Sequence, residues 1–215
     1  MRSLRIGFHW LLAVAMLLSL SCATTTFQST WKSPTARPLR LAGRKVAAVF
    51  VNRDPALRRR AEDAMAREIS ARGARGIPAY TVLSDSEIRD QEGAKAKFEQ
   101  LGFSGAVVMR IVGSETQYTY ESAFWVHPHY HHFWGGYWGW GWGTVWEPAY
   151  LREDRIVKVE TLVYSLEQDQ LVWAGVSRTF NPSEIEGFIS ELSAAVSKKM
   201  AKEGLFGPGQ PAVGG

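Results

Sequence analysis

The hydrophobic pattern in the first half of the chain predicts three buried strands. Residues 45–51 and 106–112 are continuous apolar runs, which are typical of strands buried on both faces of a sheet. A third strand is predicted at residues 77–83, between two segments of helical periodicity. Because strands that alternate with helices are joined by crossover connections, the β-α-β-α-β order predicts that these strands run parallel.

Capping residues set the ends of the two helices predicted between the strands. Asp54 caps the first helix, Pro55 occupies its first position, and Gly73 terminates it. The second helical region opens at a capping box, residues 84–87 (Ser-Asp-Ser-Glu), and ends near Gly102. The apolar face of the first helix is predicted to consist of Leu57, Ala61, Ala64, Met65 and Ile69.

A run of three arginines, Arg58, Arg59 and Arg60, lies within the first predicted helix. We expect their side chains on its solvated face. Glu62 and Asp63 lie one helical turn further along and are the expected i,i+4 ion-pair partners. The run is therefore interpreted as a charged surface rather than as a binding site.

The second half of the chain predicts antiparallel strands and a final helix. A strand at residues 117–122 is followed by a hairpin of residues 155–166 and 170–179, with Trp173 as its heaviest core residue. Asn181 is expected to cap the final helix, with Gly204 closing it. The apolar stripe of this helix consists of Ile185, Phe188, Ile189, Leu192, Ala195, Val196 and Met200.

These patterns define the predicted fold class, which is α/β with an α+β tendency. We expect a mixed sheet that begins β-α-β-α-β and continues with antiparallel strands and a C-terminal helix. A long aromatic, Gly/His-rich loop is inserted before the hairpin.

The start of the chain has the pattern of a secretory signal peptide, residues 1–21. Arg2 and Arg5 form a short basic region, and the apolar stretch that follows is too short to span a bilayer. Cys22 comes next, preceded by Ser21. This resembles a bacterial lipobox, in which the cysteine carries fatty acyl chains such as palmitate and becomes the new amino terminus.

Lipidation at Cys22 accords with the cysteine content, because this is the single cysteine of the chain and no disulfide can form. Position 23 is Ala rather than Asp, and by the sorting rule of enteric bacteria this predicts the outer membrane, on its periplasmic side. Residues 22–43, rich in Thr, Ser and Pro, are predicted to tether the domain to that membrane. Leu39 and Leu41 are the tether positions expected to touch the fold.

The remaining organisation is a single α/β domain over residues 44–204, with an aromatic insertion at 124–149 and a flexible tail at 205–215. Cleavage of the signal peptide leaves 23 basic and 21 acidic residues. This balance gives no support to a nucleic-acid partner, and an exported location argues against one as well.

The predicted hairpin carries a resemblance to known proteins. With its Leu-Val-Trp-Ala-Gly core at residues 171–175, it is similar to the closing hairpin of an uncharacterised family of bacterial lipoproteins, whose members often have a Tyr/Trp/Gly-rich stretch before it. The α/β core loosely resembles the amino-terminal domain of TolB and the curli-secretion lipoproteins. The resemblance implies a role in the cell envelope and supplies no catalytic residues.

The most unusual segment is residues 124–146. Ten of its 23 residues are aromatic, five are Gly and four are His, and none is charged. A small domain cannot bury all these rings together with its core, and exposed aromatic patches mark contact surfaces. The predicted contact surface consists of Trp125, Tyr130, Trp134, Tyr137, Trp138, Trp140, Trp142 and Trp146.

Several uses of this segment remain open. It is suited to a protein or membrane contact, because Trp and Tyr combine an apolar body with a polar group. Indole faces also stack on sugar rings, so glycan or peptidoglycan binding is a further use. A low-complexity loop without a dedicated ligand is the plainest alternative.

Metal binding is the third use, because alternate histidines of an extended segment lie on one side and can reach one Zn²⁺, Cu²⁺ or Ni²⁺ ion. The metal ligands would be His127, His129, His131 and His132. No acidic residue within the segment can orient them, and Glu121 and Glu147 are the nearest carboxylates outside it. Apart from this alternative, the sequence predicts no cofactor.

Catalytic motifs are missing from the sequence. No glycine loop is followed by Lys-Ser/Thr and a helix, and no serine lies in a Gly-x-Ser-x-Gly elbow. Glu147, Glu153 and Asp154 flank the aromatic segment and are either solvated charges or paired carboxylates acting on a sugar. The sequence thus favours a non-catalytic envelope lipoprotein, with a metal-binding lipoprotein second and an enzyme of envelope glycans third.

Overall fold

The computed structural model describes residues 25–116, 155–180, 182 and 184–207. Its sheet has six strands, and three α-helices flank it within these residues. In chain order the elements are β1 (Thr25–Lys32), β2 (Lys45–Val51), α1 (Pro55–Ala71), β3 (Arg75–Pro78), α2 (Gln91–Gln100), β4 (Phe103–Thr116), β5 (Arg155–Ser165), β6 (Gln170–Phe180) and α3 (Ile185–Lys202). Single 3₁₀ turns lie at Ala79–Thr81 and Glu87–Arg89.

The strand order is β1-β6-β5-β4-β2-β3, which confirms the predicted mixed α/β sheet. Strand β2 pairs in parallel with β3 and β4, whereas β4, β5, β6 and β1 pair antiparallel in succession. We call the end of the sheet where β2, β3 and β4 finish the carboxyl edge, and the opposite end the amino edge. By strand direction, β6 also ends at the carboxyl edge, while β1 and β5 begin there.

Each face of the sheet has its own apolar core. On one face, Val46, Ala48 and Phe50 of β2 pack with the buried residues of α1 and α3, and the fully buried Trp173 belongs to this cluster. On the other face, the alternate residues of β2 pack with Phe98 of α2 and with the 3₁₀ turns. The continuous apolar run of β2 is therefore explained by burial on both faces, as the sequence pattern predicted.

Local signals account for the position of α1. The Asp54 carboxylate accepts hydrogen bonds from the backbone N–H groups of Ala56 and Leu57, which caps the first turn. After the helix, Gly73 has a φ of +83°, in the left-handed region that glycine adopts without strain. The predicted start, stop and buried face of this helix are confirmed.

The prediction of a tether over residues 22–43 is wrong where the structure describes it, because residues 25–32 form β1. This strand pairs with β6, and the Thr25 backbone N–H donates to Oε1 of Glu191 on α3 at 2.6 Å. The chain then crosses the fold with Leu39 and Leu41 buried, as expected for these two positions. A Thr-rich segment with few apolar residues serves here as an edge strand, since only one of its sides needs a partner.

Other differences concern element ends. The strand predicted at residues 77–83 is β3, which starts earlier and gives way after Pro78 to a 3₁₀ turn. The capping box at residues 84–87 forms, yet it precedes a 3₁₀ turn, and Asp90 caps α2. The last helix starts at Ile185 with Glu184 at its cap position rather than Asn181, which lies outside the described residues.

The predicted flexible tail is wrong at its first positions. Leu205 and Phe206 are buried in the same apolar cluster as α1 and α3. The Leu41 backbone N–H donates to the Leu205 carbonyl at 2.9 Å, so the end of the domain holds the segment that follows β1. The rest of the predicted tail, from residue 208, and the strand predicted at 117–122 lie outside the described residues.

Candidate functional site at the carboxyl edge

The two strand ends that flank the aromatic insertion lie at the carboxyl edge. Strand β4 finishes at Thr116, strand β5 starts at Arg155, and these two residues are paired in the antiparallel ladder. Residues 117–154 therefore connect two neighbouring strands. In open α/β sheets the carboxyl ends of parallel strands are the usual place for ligand sites.

The amino-terminal end of the described chain lies at the same edge. Thr25 pairs with Thr179, Thr179 pairs with Val157, and Val157 pairs with Ser114, so that four strands contribute one row across the sheet. Neighbouring strands are about 4.8 Å apart, which puts Thr25 and Ser114 about 14 Å from each other. Thr25 and the strand ends that flank residues 117–154 consequently share one edge of the described fold.

A buried ion pair lies just behind this edge, between α1 and the end of β2. The guanidinium Nε of Arg58 is 3.8 Å from the Glu62 carboxylate, and both side chains are almost fully buried. A second nitrogen of Arg58, Nη2, contacts Asp85 Oδ1 at 2.6 Å. The ion pair predicted between Arg58 and Glu62 is confirmed, but the prediction that Arg58 lies on the solvated face of the helix is wrong.

Glu62 compensates for the short length of β3. Since β3 departs from β2 after Pro78, the Phe50 backbone N–H has no strand partner on that side, and it donates to Glu62 Oε1 at 3.2 Å. The Tyr80 backbone N–H donates to Oε2 at 2.8 Å. Burial raises the pKa of Glu62 to about 7, against the lowering effects of the two N–H donors and Arg58.

Strands β4 and β5 carry a second buried pair, level with the end of β2. Arg110 Nη2 donates to Glu160 Oε2 at 3.2 Å, and both side chains are less than one-tenth exposed. Arg110 also pairs in the ladder with Val51, the last residue of β2. Two buried Arg–Glu pairs thus lie where the parallel strands end, and the structure gives both a role in holding neighbouring elements together.

Exposed apolar side chains also occur at this edge. Phe180, the last residue of β6, is 37% exposed, and Ile185, the first residue of α3, is 40% exposed. The guanidinium of Arg178 lies 5.1 Å from the centre of the Phe180 ring, within the range of a cation–π contact. Lys158 pairs with Arg178 in the ladder between β5 and β6, so cationic and apolar groups adjoin one another here.

The residues that the sequence singled out for function lie outside the described residues. These are Cys22, the four histidines of the proposed metal site, and the eight Trp and Tyr residues of the proposed contact surface. The described residues that adjoin these segments are Thr25, Thr116 and Arg155, and all three lie at the carboxyl edge. Among the described residues, no group of His, Cys, Asp or Glu is arranged to hold a metal ion. The helices in the described ranges are all too short or too polar to cross a bilayer.

The sequence interpretation missed the burial of the Arg58–Glu62 pair and missed the Arg110–Glu160 pair altogether, although α1 contained a signal for the first. Arg58 and Glu62 fall at the same helical phase as Ala61, Met65 and Ile69, which are buried. Because charged residues are almost never fully buried unless they are paired, an i,i+4 Arg–Glu couple on that stripe would have predicted a buried ion pair.

Comparisons with known proteins add the following. No protein-family model matches the chain, and no curated protein matches it significantly. Among solved structures, the PelC dodecamer of Paraburkholderia phytofirmans has 12% sequence identity to this chain and a TM-score of 0.45. The match covers 80% of this chain and 94% of the PelC chain. Lipoprotein GNA1162 of Neisseria meningitidis has 13% sequence identity to this chain and a TM-score of 0.39. The match covers 74% of this chain and 99% of the GNA1162 chain. With TM-scores below 0.5, these likenesses support no conclusion about the function of this chain.

Proposed function

We propose that this protein is an exported, non-catalytic lipoprotein of the bacterial envelope, anchored through acylated Cys22, which presents residues 124–146 to an envelope partner. The observation that carries the proposal is the row from Thr25 to Ser114, because it joins the first described residue after Cys22 to the strands that flank residues 117–154. The lipobox-like sequence, the single cysteine and the outer-membrane type of residue at position 23 support the location.

The short spacing before β1 strengthens this arrangement. A flexible tether of some twenty residues would let the domain turn any of its surfaces towards the membrane. Instead, Thr25 is already fixed in the sheet through Thr179 and Glu191. In the proposed arrangement, only residues 23 and 24 separate the lipidated Cys22 from Thr25 at the carboxyl edge.

Fractionation of cells that produce Cys22→Ala tests the anchor. We expect the wild-type protein in the outer-membrane fraction and the variant in the soluble periplasmic fraction, since a signal peptide without the lipidated cysteine directs export but not anchoring. Ser21→Ala, which keeps a small residue before the cysteine, is the matched control and remains membrane-bound. Retention of Cys22→Ala in washed membranes contradicts the proposed lipidation.

Deletion of residues 124–146 with a short Gly/Ser replacement tests the contact surface. If these residues form a contact surface, as proposed, we expect the midpoint of thermal unfolding to change little. A large loss of stability means that the rings are part of the core, and the contact-surface proposal then fails.

Metal binding is the second candidate function, favoured by the spacing His127-Pro128-His129-Tyr130-His131-His132. Calorimetric titration of residues 23–215 with Zn²⁺, Cu²⁺ and Ni²⁺ tests it. A site requires binding at micromolar or lower concentration that is lost when the four histidines are changed to Ala. Absence of binding in the unchanged chain excludes this candidate.

A further inference from the structure

We propose that the outer edge of β1 is a self-association surface, at which two copies of this chain pair their β1 strands antiparallel and join their six-stranded sheets into one. Because the surface consists of residues 25–32 and part of α3, this association does not depend on lipidation of Cys22. Three features of the fold support it: the contrast between the two outer strands of the sheet, the side chains beside β1, and the charges at its two ends.

The outer strand β3 has its outward N–H groups accounted for within the chain. The Arg75 N–H donates to the Arg44 carbonyl beside β2, so by alternation the next N–H, that of Gly76, points away from the sheet. It donates to Ser70 Oγ of α1 at 3.1 Å. Pro78 is the next outward position, and proline has no N–H. This edge of the sheet therefore has no outward donor to offer to another strand.

The outer strand β1 is longer, with eight residues against four in β3, and it keeps outward donors. The Ser33 N–H donates to the Val172 carbonyl of β6 at 3.1 Å, so by alternation the N–H groups of Lys32 and Thr30 point away from β6. Both residues are exposed, and neither N–H has a partner within the part of the chain that the structure describes. An open edge of this kind is a template for another extended strand.

The side chains along β1 do little to keep a second strand away. Exposed edge strands are commonly protected by Pro or by charged side chains, whereas β1 has no Pro and its single charge is Lys32 at the last position. Trp31 is 41% exposed, more than any other large hydrophobic side chain in the described ranges. A second strand beside β1 would cover part of this indole and add apolar burial to the hydrogen bonds of the ladder.

The charges at the two ends of β1 indicate that the strand beside it belongs to a second copy. At the last position, Lys32 Nζ donates to the Glu203 carbonyl at the end of α3, at 2.6 Å. At the first position, the Thr25 N–H donates to the Glu191 carboxylate of α3. An antiparallel two-fold pairing turns Lys32 of each copy towards Glu191 of the other, so opposite charges meet at both ends. The edge is thus complementary to itself in hydrogen bonding and in charge.

Sedimentation velocity of the mature Cys22→Ala chain at micromolar concentrations tests the pairing, and the change of the single cysteine excludes a disulfide between copies. Thr30→Pro removes an outward N–H and leaves the ladder with β6, because an edge strand tolerates proline where its nitrogen faces away from the sheet. Thr30→Ala, which keeps the N–H, is the matched control. We expect dimers of the parent chain and of Thr30→Ala, and a dissociation constant roughly tenfold higher for Thr30→Pro, since each dimer loses two interchain hydrogen bonds.

Charge reversal provides a second test that does not use proline. We expect Lys32→Glu to weaken the dimer, because it brings two carboxylates together at each end, and the double change of Lys32→Glu with Glu191→Lys to restore it. Circular dichroism establishes that each variant is folded. A parent chain that stays monomeric overturns the proposal, and so does a dimer with equal dissociation constants in Thr30→Pro and Thr30→Ala. If Thr30→Pro does not fold, a dimer that Lys32→Glu leaves unchanged overturns it instead.

Discussion

The two edges of the sheet are built differently. At the amino edge, short turns join neighbouring elements: the Gly43 backbone N–H donates to the Gly73 carbonyl at 2.7 Å, and β5 turns directly into β6. Charges there remain in solvent, as in the Arg44–Glu167 pair, whose side chains are both more than half exposed. The carboxyl edge instead has two buried Arg–Glu pairs, the strand ends that flank residues 117–154, and the start of β1.

The difference lies in how each edge satisfies its charged and backbone polar groups. At the amino edge, local turns join the elements and the charged side chains of the Arg44–Glu167 pair are exposed. We therefore expect a change to these charges to lower the free energy of unfolding only slightly. The carboxyl edge must accommodate segments that leave the sheet, and strands of unequal length expose backbone groups that only buried polar side chains can satisfy. We therefore expect the loss of a buried charge at the carboxyl edge to lower the free energy of unfolding most. At the amino edge, we expect steric changes to lower it more than changes of charge.

The largest expected effect comes from Glu62→Ala. This change leaves the N–H groups of Phe50 and Tyr80 without an acceptor and removes one of the two acidic partners of Arg58. We expect the free energy of unfolding to fall by about 3–5 kcal/mol at pH 8, as measured by urea denaturation. Glu167→Ala, which removes the exposed amino-edge pair, is the control and costs less than about 1 kcal/mol. Equal costs for the two variants would remove the proposed distinction between the edges.

The pH dependence of stability sharpens the same comparison. The folded-state pKa of Glu62 is about 7, raised by burial from an ordinary 4.5, so the folded chain retains a proton that the unfolded chain releases between these values. This contribution to stability is full below pH 4.5 and disappears as the pH rises through 7. Its size is roughly 3 kcal/mol, from about 1.4 kcal/mol for each pKa unit.

The measurement is the unfolding free energy of the wild type and of Glu62→Gln between pH 4 and pH 8. The wild type is expected to lose stability across this window more steeply than the variant, because Gln does not titrate. If the unfolding free energy changes with pH equally in the two proteins, the pH dependence belongs to groups other than Glu62.

A smaller, steric effect is expected at the amino edge from Gly76→Ala. A Cβ atom at this position of β3 would collide with the Ala66 carbonyl oxygen in α1, and neither backbone can move freely. We expect a loss of about 1–3 kcal/mol in thermal or urea unfolding. Gly113→Ala on β4, towards the carboxyl edge, is the control, since its nearest neighbour would be the Lys158 side chain at 3.9 Å. A tolerated Gly76→Ala would show that α1 can shift away from β3.

Much of the fold followed from local sequence. The ends of α1, the continuous apolar run of β2 and the β5–β6 hairpin with Trp173 in its core all matched the pattern-based expectation. Each depends on residues close in the chain or on a period that local backbone geometry imposes. The start of β5 at residue 155 was also correct, whereas β4 extends to Thr116, beyond the predicted end at residue 112.

The mistakes share one cause, which is pairing between distant residues. Residues 25–32 lack a strong apolar period, and they form a strand because β6 offers them an unpaired edge. Arg58 shares the helical phase of the buried residues of α1, but its second acidic partner, Asp85, comes from a distant segment. Neither the pairing of β1 nor the contact with Asp85 can be seen from neighbouring residues alone.

Local sequence sufficed for the cap of α1, the glycine that ends it, the apolar run of β2 and the lipobox-like start. Strand order, the incorporation of β1, the burial of the two ion pairs and the shared edge of Thr25 with the ends of β4 and β5 came from tertiary contacts. The reason is physical: caps and periods are fixed by contacts within a few residues, whereas sheet order and burial depend on which distant strands supply the missing hydrogen bonds and cover the apolar faces.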